Sequence, residues 1–431
     1  MIKIFKNILL LLVLTACTFT VKAQSTTSSP YSQFGIGLIR GSSLPQNRSL
    51  AGLSAGMRRA SGFYDINISN PASYSSIGLT TFDIGAFGSI ARLEKGDRKE
   101  KNFDASLNHL AFAVPVNRKS ALSFGLLPYS QMGFSQNRDS ILGSDTANLV
   151  YSGEGGVSKA YLGYGFQVGK HLSFGVNAGY LFGKLSKTRS AEFLVSKGGL
   201  SSRIENSNSL SGLSFDYGMQ YFTNIAGRTV LTLGYTGTSR SKINSNTGYY
   251  TTNYTVDDSG NEGVAFDTIY SKQGLKSKVT LPLSHSIGFT LSRSNKWLLG
   301  ADLNYSNWSA YREGNFNPKL NNSYGVAIGA QITPDVTAVS NYLKIIDYRV
   351  GFKYDKTYIN LGNSDINQTS LTVGLGLPLS STNRSTFYKI NIGAELGQRG
   401  TLTANLVRER FANIYLGFTI NDRWFQKYKF D

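Results

Sequence analysis

The sequence predicts an all-β protein: a transmembrane antiparallel β-barrel of about 14 strands. Three observations predict it. The first is composition. Among 431 residues, 46 Gly and 25 each of Tyr and Phe stand against 9 Pro and 4 Met, while only 16% are charged and the mean hydropathy is −0.17. A soluble surface approaches a quarter charged. Strands that face lipid on one side and a wet lumen on the other average to that near-neutral hydropathy. The second is period-two alternation, the strand signature, which recurs from about residue 78 onward. The third is the asymmetry of the connections, short at one end of the strands and long at the other.

The elements follow in chain order. Residues 1–23 read as a secretory signal: Lys3 and Lys6 give a basic start, Ile8 to Ala16 an apolar core too short to span a membrane, and Val21-Lys22-Ala23 a small-residue cleavage site before Gln24. A second signal competes inside it, because Leu14-Thr15-Ala16-Cys17 resembles a lipobox that would acylate Cys17. A barrel needs no acyl anchor, which favours cleavage after Ala23. That cleavage removes the only cysteine, so the mature chain would carry no thiol or disulfide chemistry.

Residues 24–77 show no alternation. They hold several glycines and a helix-like patch, "AGLSAGMRRA", and such a segment either hangs in the periplasm or plugs the lumen. It ends in Asn70-Pro71-Ala72. Asn-Pro favours a tight turn and Pro71 fixes its own φ, so the stretch reads as a corner that redirects the chain into the barrel wall. A stiff loop without ligand contact is the plainer account of it.

The barrel takes residues 78–431. In one strand Leu172, Phe174, Val176, Ala178, Tyr180 and Phe182 alternate with Ser173, Gly175, Asn177 and Gly179; Leu371, Val373, Leu375 and Leu377 alternate likewise with Ser370, Thr372, Gly374 and Gly376. The faces differ too sharply for a two-layered sandwich. Fourteen such stretches are expected, at about 78–92, 103–115, 120–135, 156–168, 171–189, 208–223, 228–241, 278–293, 296–312, 323–333, 346–357, 368–378, 386–398 and 411–421. An even number suits a single-chain outer-membrane barrel. Brief turns such as "VNRKS", "NIAG" and "SN" would lie in the periplasm, and 136–155, 190–207 and 242–277 would be long outer loops. The stretch 334–345 breaks this rule, being long on the periplasmic side, and reads as a short helix. The third strand contains Pro128, where proline removes a ladder donor, followed by Gly133. Either the strand bulges and merely bends the barrel, or the wall opens there.

The net charge of +18 falls to +15 without the three lysines of the signal, and its Lys and Arg are spread along the chain. That excludes the clustered basic face of a nucleic-acid binder and points to outer-membrane lipids and lipopolysaccharide as counter-charges. Enzyme chemistry finds no foothold. His109, His171 and His285 fall on different strands with no metal-ligand spacing, and no phosphate-cradling Gly-rich loop opens a helix. No cofactor or metal is expected. Trp297, Trp308, Tyr311, Trp424 and Phe425 read as interfacial girdle aromatics.

Three sets of residues carry a resemblance. They are Ala51-Gly52-Leu53 through Ala60 with Asn70-Pro71-Ala72; Gly153-Glu154-Gly155-Gly156 ahead of the fourth strand; and Leu281-Pro282, Gly288, Trp297, Asp302, Tyr305 and Trp308 across the eighth and ninth strands. With them the chain resembles the FadL-type outer-membrane transport barrels, and its ends "SSPYSQFGIG" and "NDRWFQKYKFD" resemble a Bacteroidota-type branch. The resemblance implies a hatch in which Asn70, Pro71 and Ala72 hold or gate substrate. It also implies a kink at Pro128 and Gly133 that opens sideways toward the membrane, a route hydrophobic cargo profits from because it never re-enters water. Two functions follow. One is a channel for small hydrophobic, fatty-acid-like molecules, which predicts an apolar pocket in the lumen. The other is a structural or plugging component of the type 9 protein secretion translocon, which predicts a partner barrel and no substrate.

Overall fold

The computed structural model describes residues 29–59, 63–142, 145–193, 200–257, 259, 261–265, 267–379 and 386–424. The signal segment, Cys17 and Phe425 lie outside the described residues. Fourteen antiparallel wall strands follow one another around a barrel. These are β1 (Thr80–Lys95), β2 (Arg98–Asn117), β3 (Ser120–Leu142), β4 (Asp145–Val168), β5 (Leu172–Glu192) and β6 (Ser201–Ala226). Three two-part strands come next: β7 (Thr229–Thr238 and Ser241–Tyr254), β8 (Asp267–Leu281 and Ser284–Arg293) and β9 (Trp297–Ser306 and Arg312–Glu313). The circuit continues with β10 (Ser323–Ile332), β11 (Asp347–Leu361), β12 (Ser364–Leu379), β13 (Phe387–Gly400) and β14 (Arg408–Asp422). β14 returns to β1 in unbroken register from Arg408 opposite Glu94 to Asp422 opposite Thr80, which closes the wall. Both parts of β7 pair with β6, and the break in β8 falls at Pro282, whose missing N–H interrupts the ladder.

Alternation does what the sequence asks of it. Along β5, Val176, Ala178, Tyr180 and Phe182 are exposed on the outer face while Ser173, Gly175, Asn177 and Gly179 are buried inside. The same outward apolar set recurs in β12 with Leu371, Val373 and Leu375. A barrel pairs its backbone groups strand to strand around the ring, as crossing lipid requires, so this belt places the barrel in an outer membrane. No helix among the described residues is long and apolar enough to cross a membrane; the strands do it.

The expected outer loops are largely strand. The stretch 136–155 is a hairpin of β3 and β4 paired from Ser120 opposite Phe166 to Leu142 opposite Asp145, and most of 242–277 extends β7 and β8. Above the lipid both faces are wet, so hydrophobic alternation disappears although the hydrogen-bond ladder continues. Gly153-Glu154-Gly155-Gly156 accordingly lies inside β4 rather than ahead of it. Gly155 has φ 110°, and a Cβ there would stand 2.1 Å from the Lys184 carbonyl oxygen, so only glycine fits. "AGLSAGMRRA" forms turns, not a helix, over its described residues. The stretch 334–345 holds a single 3₁₀ turn, Tyr342–Lys344.

Candidate functional site

Residues 29–59 and 63–77 run through the lumen, and the inner face of the wall is cut to seat them. The segment begins high on β3, where Ser29 N–H donates to the Gly133 carbonyl (2.9 Å) and Ser32 Oγ donates to the same oxygen (2.8 Å). It continues down into the end with the short turns, the periplasmic end. There Asp302 Oδ2 accepts from the backbone N–H groups of Ser54 (2.6 Å) and Ala55 (3.0 Å), and Gln220 Nε2 donates to the carbonyls of Ala55 (3.0 Å) and Met57 (2.9 Å). A segment without regular structure has orphan backbone groups, and inward polar side chains of the wall satisfy them. Glycines supply the room: a Cβ at Gly234 would lie 1.8 Å from the Ala55 oxygen, and one at Gly175 2.3 Å from Pro71.

Asn70, Pro71 and Ala72 sit at the base of this lumenal segment. Asn70 caps a six-residue 3₁₀ helix, Pro71–Ser76, by accepting from Ala72 N–H at 3.2 Å, and its Nδ2 donates to the Ala55 carbonyl at 2.7 Å. Pro71 opens the helix because its ring needs no N–H partner there. Tyr74, fully buried, donates through its hydroxyl to Asn177 Oδ1 of β5 at 3.1 Å. The corner is therefore a capped helical turn packed on β4, β5 and β6, with Ile77 leading out to β1. Nearby, Arg58 stacks on Phe222 and reaches Ser75, Ser173 and Gln167; burial pushes its pKa down to about 10.

Beside Pro128 the backbone ladder between β2 and β3 ends. The β2–β3 ladder runs from Asn117 opposite Ser120 only as far as Leu110 opposite Leu126. Beyond it the two strands are joined by side chains, Gln131 Nε2 donating to Asp104 Oδ1 at 3.5 Å, while β3 keeps its full pairing with β4 across a bulge between Pro128 and Ser130. The free edge of β3 is taken instead by the lumenal segment: Leu38 and Ile39 pair with Gln131 and Ser130, Arg40 N–H donates to the Tyr129 carbonyl (3.0 Å) and Ser130 Oγ to the Ile36 carbonyl (2.7 Å). Arg40 then spans the seam. Its guanidinium bonds Asp104 of β2 at 2.6 Å and Gln131 of β3, and it lies over the Phe87 ring of β1 at 4.0 Å.

Between this seam and the plug lies a cavity of about 500 Å³. Leu38, Ile39, Arg40, Phe103, Asp104, Tyr129 and Gln131 line it on the seam side, and Arg48, Ala51, Gly52 and Ser54 form its floor. The apolar pocket expected for a hydrophobic channel is not what the lumen holds. The lining carries five basic residues, Arg40, Arg48, Lys353, Lys356 and Arg399, against five acidic ones, Asp104, Asp216, Asp355, Glu395 and Glu409. Aromatic rings are set among them, with Arg399 over Phe411 and Arg48 over Tyr415. Alternation foretold an inner face that was polar, and a lumen built from inner faces inherits that polarity. Most of the charges are paired: Arg399 with Glu409 (3.4 Å), Lys353 with Asp355 (2.7 Å) and Lys159 with Asp216 (2.5 Å). Arg48 instead donates to the backbone carbonyls of Arg40, Gly41 and Ser43, and has no carboxylate in ion-pair range among the described residues.

Two expected girdle residues are lumenal. Trp308 and Tyr311 are buried where β9 breaks inward, and Trp308 stacks on Tyr358 with ring centres 4.0 Å apart. Trp297 and Trp424 are exposed. The three histidines stay apart. His109 Nε2 meets Asp83 at 2.6 Å inside the wall, His171 meets the Phe222 carbonyl at a periplasmic turn, and His285 meets the Tyr235 hydroxyl. No cluster among the described residues fits a metal ion.

A family model described as BamG matches residues 1–431. Among solved structures, a Pseudomonas aeruginosa FadL homologue superposes with a TM-score of 0.59 at 13% identity, over 90% of this chain and 100% of that one. The Pseudomonas putida toluene transporter TodX gives 0.55 at 14% identity over 88% and 98% of the two chains, and the CymD monoaromatic hydrocarbon channel 0.54 at 13% over 90% and 99%. At such identities the likeness is one of fold. No curated protein matches the sequence.

Proposed function

The chain belongs to the BamG family, and we propose that it is an outer-membrane channel whose small, hydrophobic-tailed cargo enters from outside, halts on the N-terminal hatch and leaves sideways between β2 and β3. The observation that carries this reading is the continuity of the 500 Å³ cavity with the seam at which the β2–β3 ladder stops beside Pro128. Cargo that turns sideways there passes into lipid without meeting water again. The titles of the solved barrels that share the fold, a toluene transporter and a monoaromatic hydrocarbon channel, are in keeping with it. The charged lining narrows the cargo. A pure hydrocarbon would leave Arg48, which has no carboxylate in ion-pair range among the described residues, desolvated without a counter-charge, so a molecule with a polar head and an apolar tail, fatty-acid-like, suits the lining better. Asn70, Pro71 and Ala72 serve as the rigid foot of the hatch, and Pro128 with Gly133 keeps the seam from zipping shut.

One observation favours a second reading, that of a membrane partner such as a plug or subunit of the type 9 secretion translocon. The lumen below the cavity is filled, and a filled barrel needs no cargo to be useful. Gentle extraction of the tagged protein from its native outer membrane, with mass spectrometry of bound lipids and co-purifying proteins, separates the two. A monomer carrying amphiphiles supports the channel. A stoichiometric complex with a very large barrel, free of such ligands, overturns it.

A further inference from the structure

We propose that the outer face of the wall formed by β13, β14, β1 and β2 carries a binding site for a phosphorylated glycolipid of the outer leaflet, centred on Arg92, Lys101 and Arg410. The site is on the outside of the barrel and stands whether or not the lumen conducts cargo. Register defines it. Gln398, Arg410, Arg92 and Lys101 lie directly opposite one another in one row across the four strands, and the next row, toward the outer turns, reads Gly400, Arg408, Glu94 and Lys99. The row on the membrane side reads Leu396, Ala412, Ile90 and Phe103, of which Leu396, Ile90 and Phe103 are exposed. The change from apolar to polar therefore falls at one level on all four strands, where hydrocarbon gives way to headgroups.

Such a row asks for a counter-charge from outside. Like charges directly opposite one another destabilise a sheet, and Arg410, Arg92 and Lys101 are three in succession. Glu94 is the one carboxylate in these rows. It is buried among guanidinium groups, with Arg408 at 2.6 Å, Arg92 at 3.2 Å and Arg410 at 3.8 Å. Glu409 and Glu100 share a row with Leu93, one residue out of step, and so face the other way. Arg92, Lys99, Lys101, Arg408 and Arg410 thus leave the patch strongly positive, and the side chains of Arg92 and Arg410 stay 44% and 52% exposed.

A phosphate monoester fits this patch. It carries close to two negative charges and three acceptor oxygens, enough to engage two arginines and a lysine together. A phosphodiester brings a single charge. A glycolipid holds the phosphate at headgroup level and lays its acyl chains along Ile90, Phe103 and Leu396. A soluble acidic partner would meet the cations but leave that apolar row uncovered.

Native mass spectrometry of the detergent-purified protein tests the site, with monophosphoryl lipid A as the probe. One lipid per barrel is expected to stay bound, and the same lipid stripped of its phosphate is expected to be lost. Combining Arg92→Gln, Lys101→Gln and Arg410→Gln should weaken binding about a hundred-fold. The heat-modifiable band should persist, because the changes relieve repulsion and keep the pair of Arg408 with Glu94. Lys101→Gln alone, at an exposed position outside the Glu94 ion pairs, should weaken binding several-fold and serves if the triple variant misfolds. A matched control, Lys272→Gln, Lys276→Gln and Lys278→Gln on the exposed outer part of β8, removes as many charges and should bind like wild type. Equal binding of the phosphate-free lipid or of phosphatidylglycerol, displacement by millimolar inorganic phosphate, or an equal loss in the two triple variants overturns the site.

Discussion

Asp302 Oδ2 lies 2.6 Å from the backbone nitrogen of Ser54 and 3.0 Å from that of Ala55, so one carboxylate of β9 caps two orphan N–H groups of the lumenal segment. It is 1% exposed, which makes the contact hard for water to replace. Asp302→Ala leaves both donors unsatisfied and is expected to cost about 2–4 kcal/mol of local stability. The barrel itself should survive, because its ladder is untouched. Protease cutting within residues 45–67 and single-channel leak should both rise, with the heat-modifiable band on gels unchanged; a leak equal to wild type would show that Asp302 does not hold the plug.

Gly234 tests the same seat from the wall side. A side chain there meets the Ala55 oxygen and carbon at 1.8 and 2.2 Å, both backbone atoms that cannot rotate aside. Gly234→Val is expected to lift the segment from β7 and raise ion conductance in planar bilayers, whereas Gly227→Val, at a periplasmic turn with open space around it, would strain its own positive φ and leave the conductance low. Equal conductance in the two variants would contradict a plug that depends on close approach to the wall.

Lys159 and Asp216 form a buried pair on the inner wall at 2.5 Å, with Thr238 donating to the other carboxylate oxygen at 2.9 Å. Removing one partner strands a charge in a site where the lysine is 2% exposed. Lys159→Met is expected to destabilise the barrel by about 3–5 kcal/mol. The double variant Lys159→Met with Asp216→Asn should recover most of that loss. Urea unfolding followed by tryptophan fluorescence measures both, and a double variant no better than the single would mean the pair is not coupled.

Pro128→Val restores a ladder donor and a β-branched residue at the point where β3 leaves β2. The expected outcome is slower uptake of a fluorescent fatty acid into proteoliposomes, several-fold, with folding intact. Unchanged uptake would remove the lateral exit.

How much of this was legible in the sequence depends on where each residue sits. All fourteen strands appear where alternation puts them, because lipid on one face and a wet lumen on the other print a period of two directly into the chain. The outer ends of β3, β4, β7 and β8 escaped, since above the membrane both faces are wet and the print vanishes. Asn70-Pro71-Ala72 announced a turn through local chemistry, and Pro128 a defect in β3. Trp308 was misplaced because an aromatic residue reads alike whether it meets headgroups or Tyr358. The seam and the cavity required the tertiary structure. Arg40 is 64 residues from Asp104 and 91 from Gln131, and nothing in the identity of a lone arginine says which distant strands it joins. The sequence by itself determined the barrel and its strand count, through periodic contact with two solvents. Only closure of that barrel around its own N-terminal segment decided which wall residues meet the plug, because those contacts are set by register around a ring and not by order along a chain.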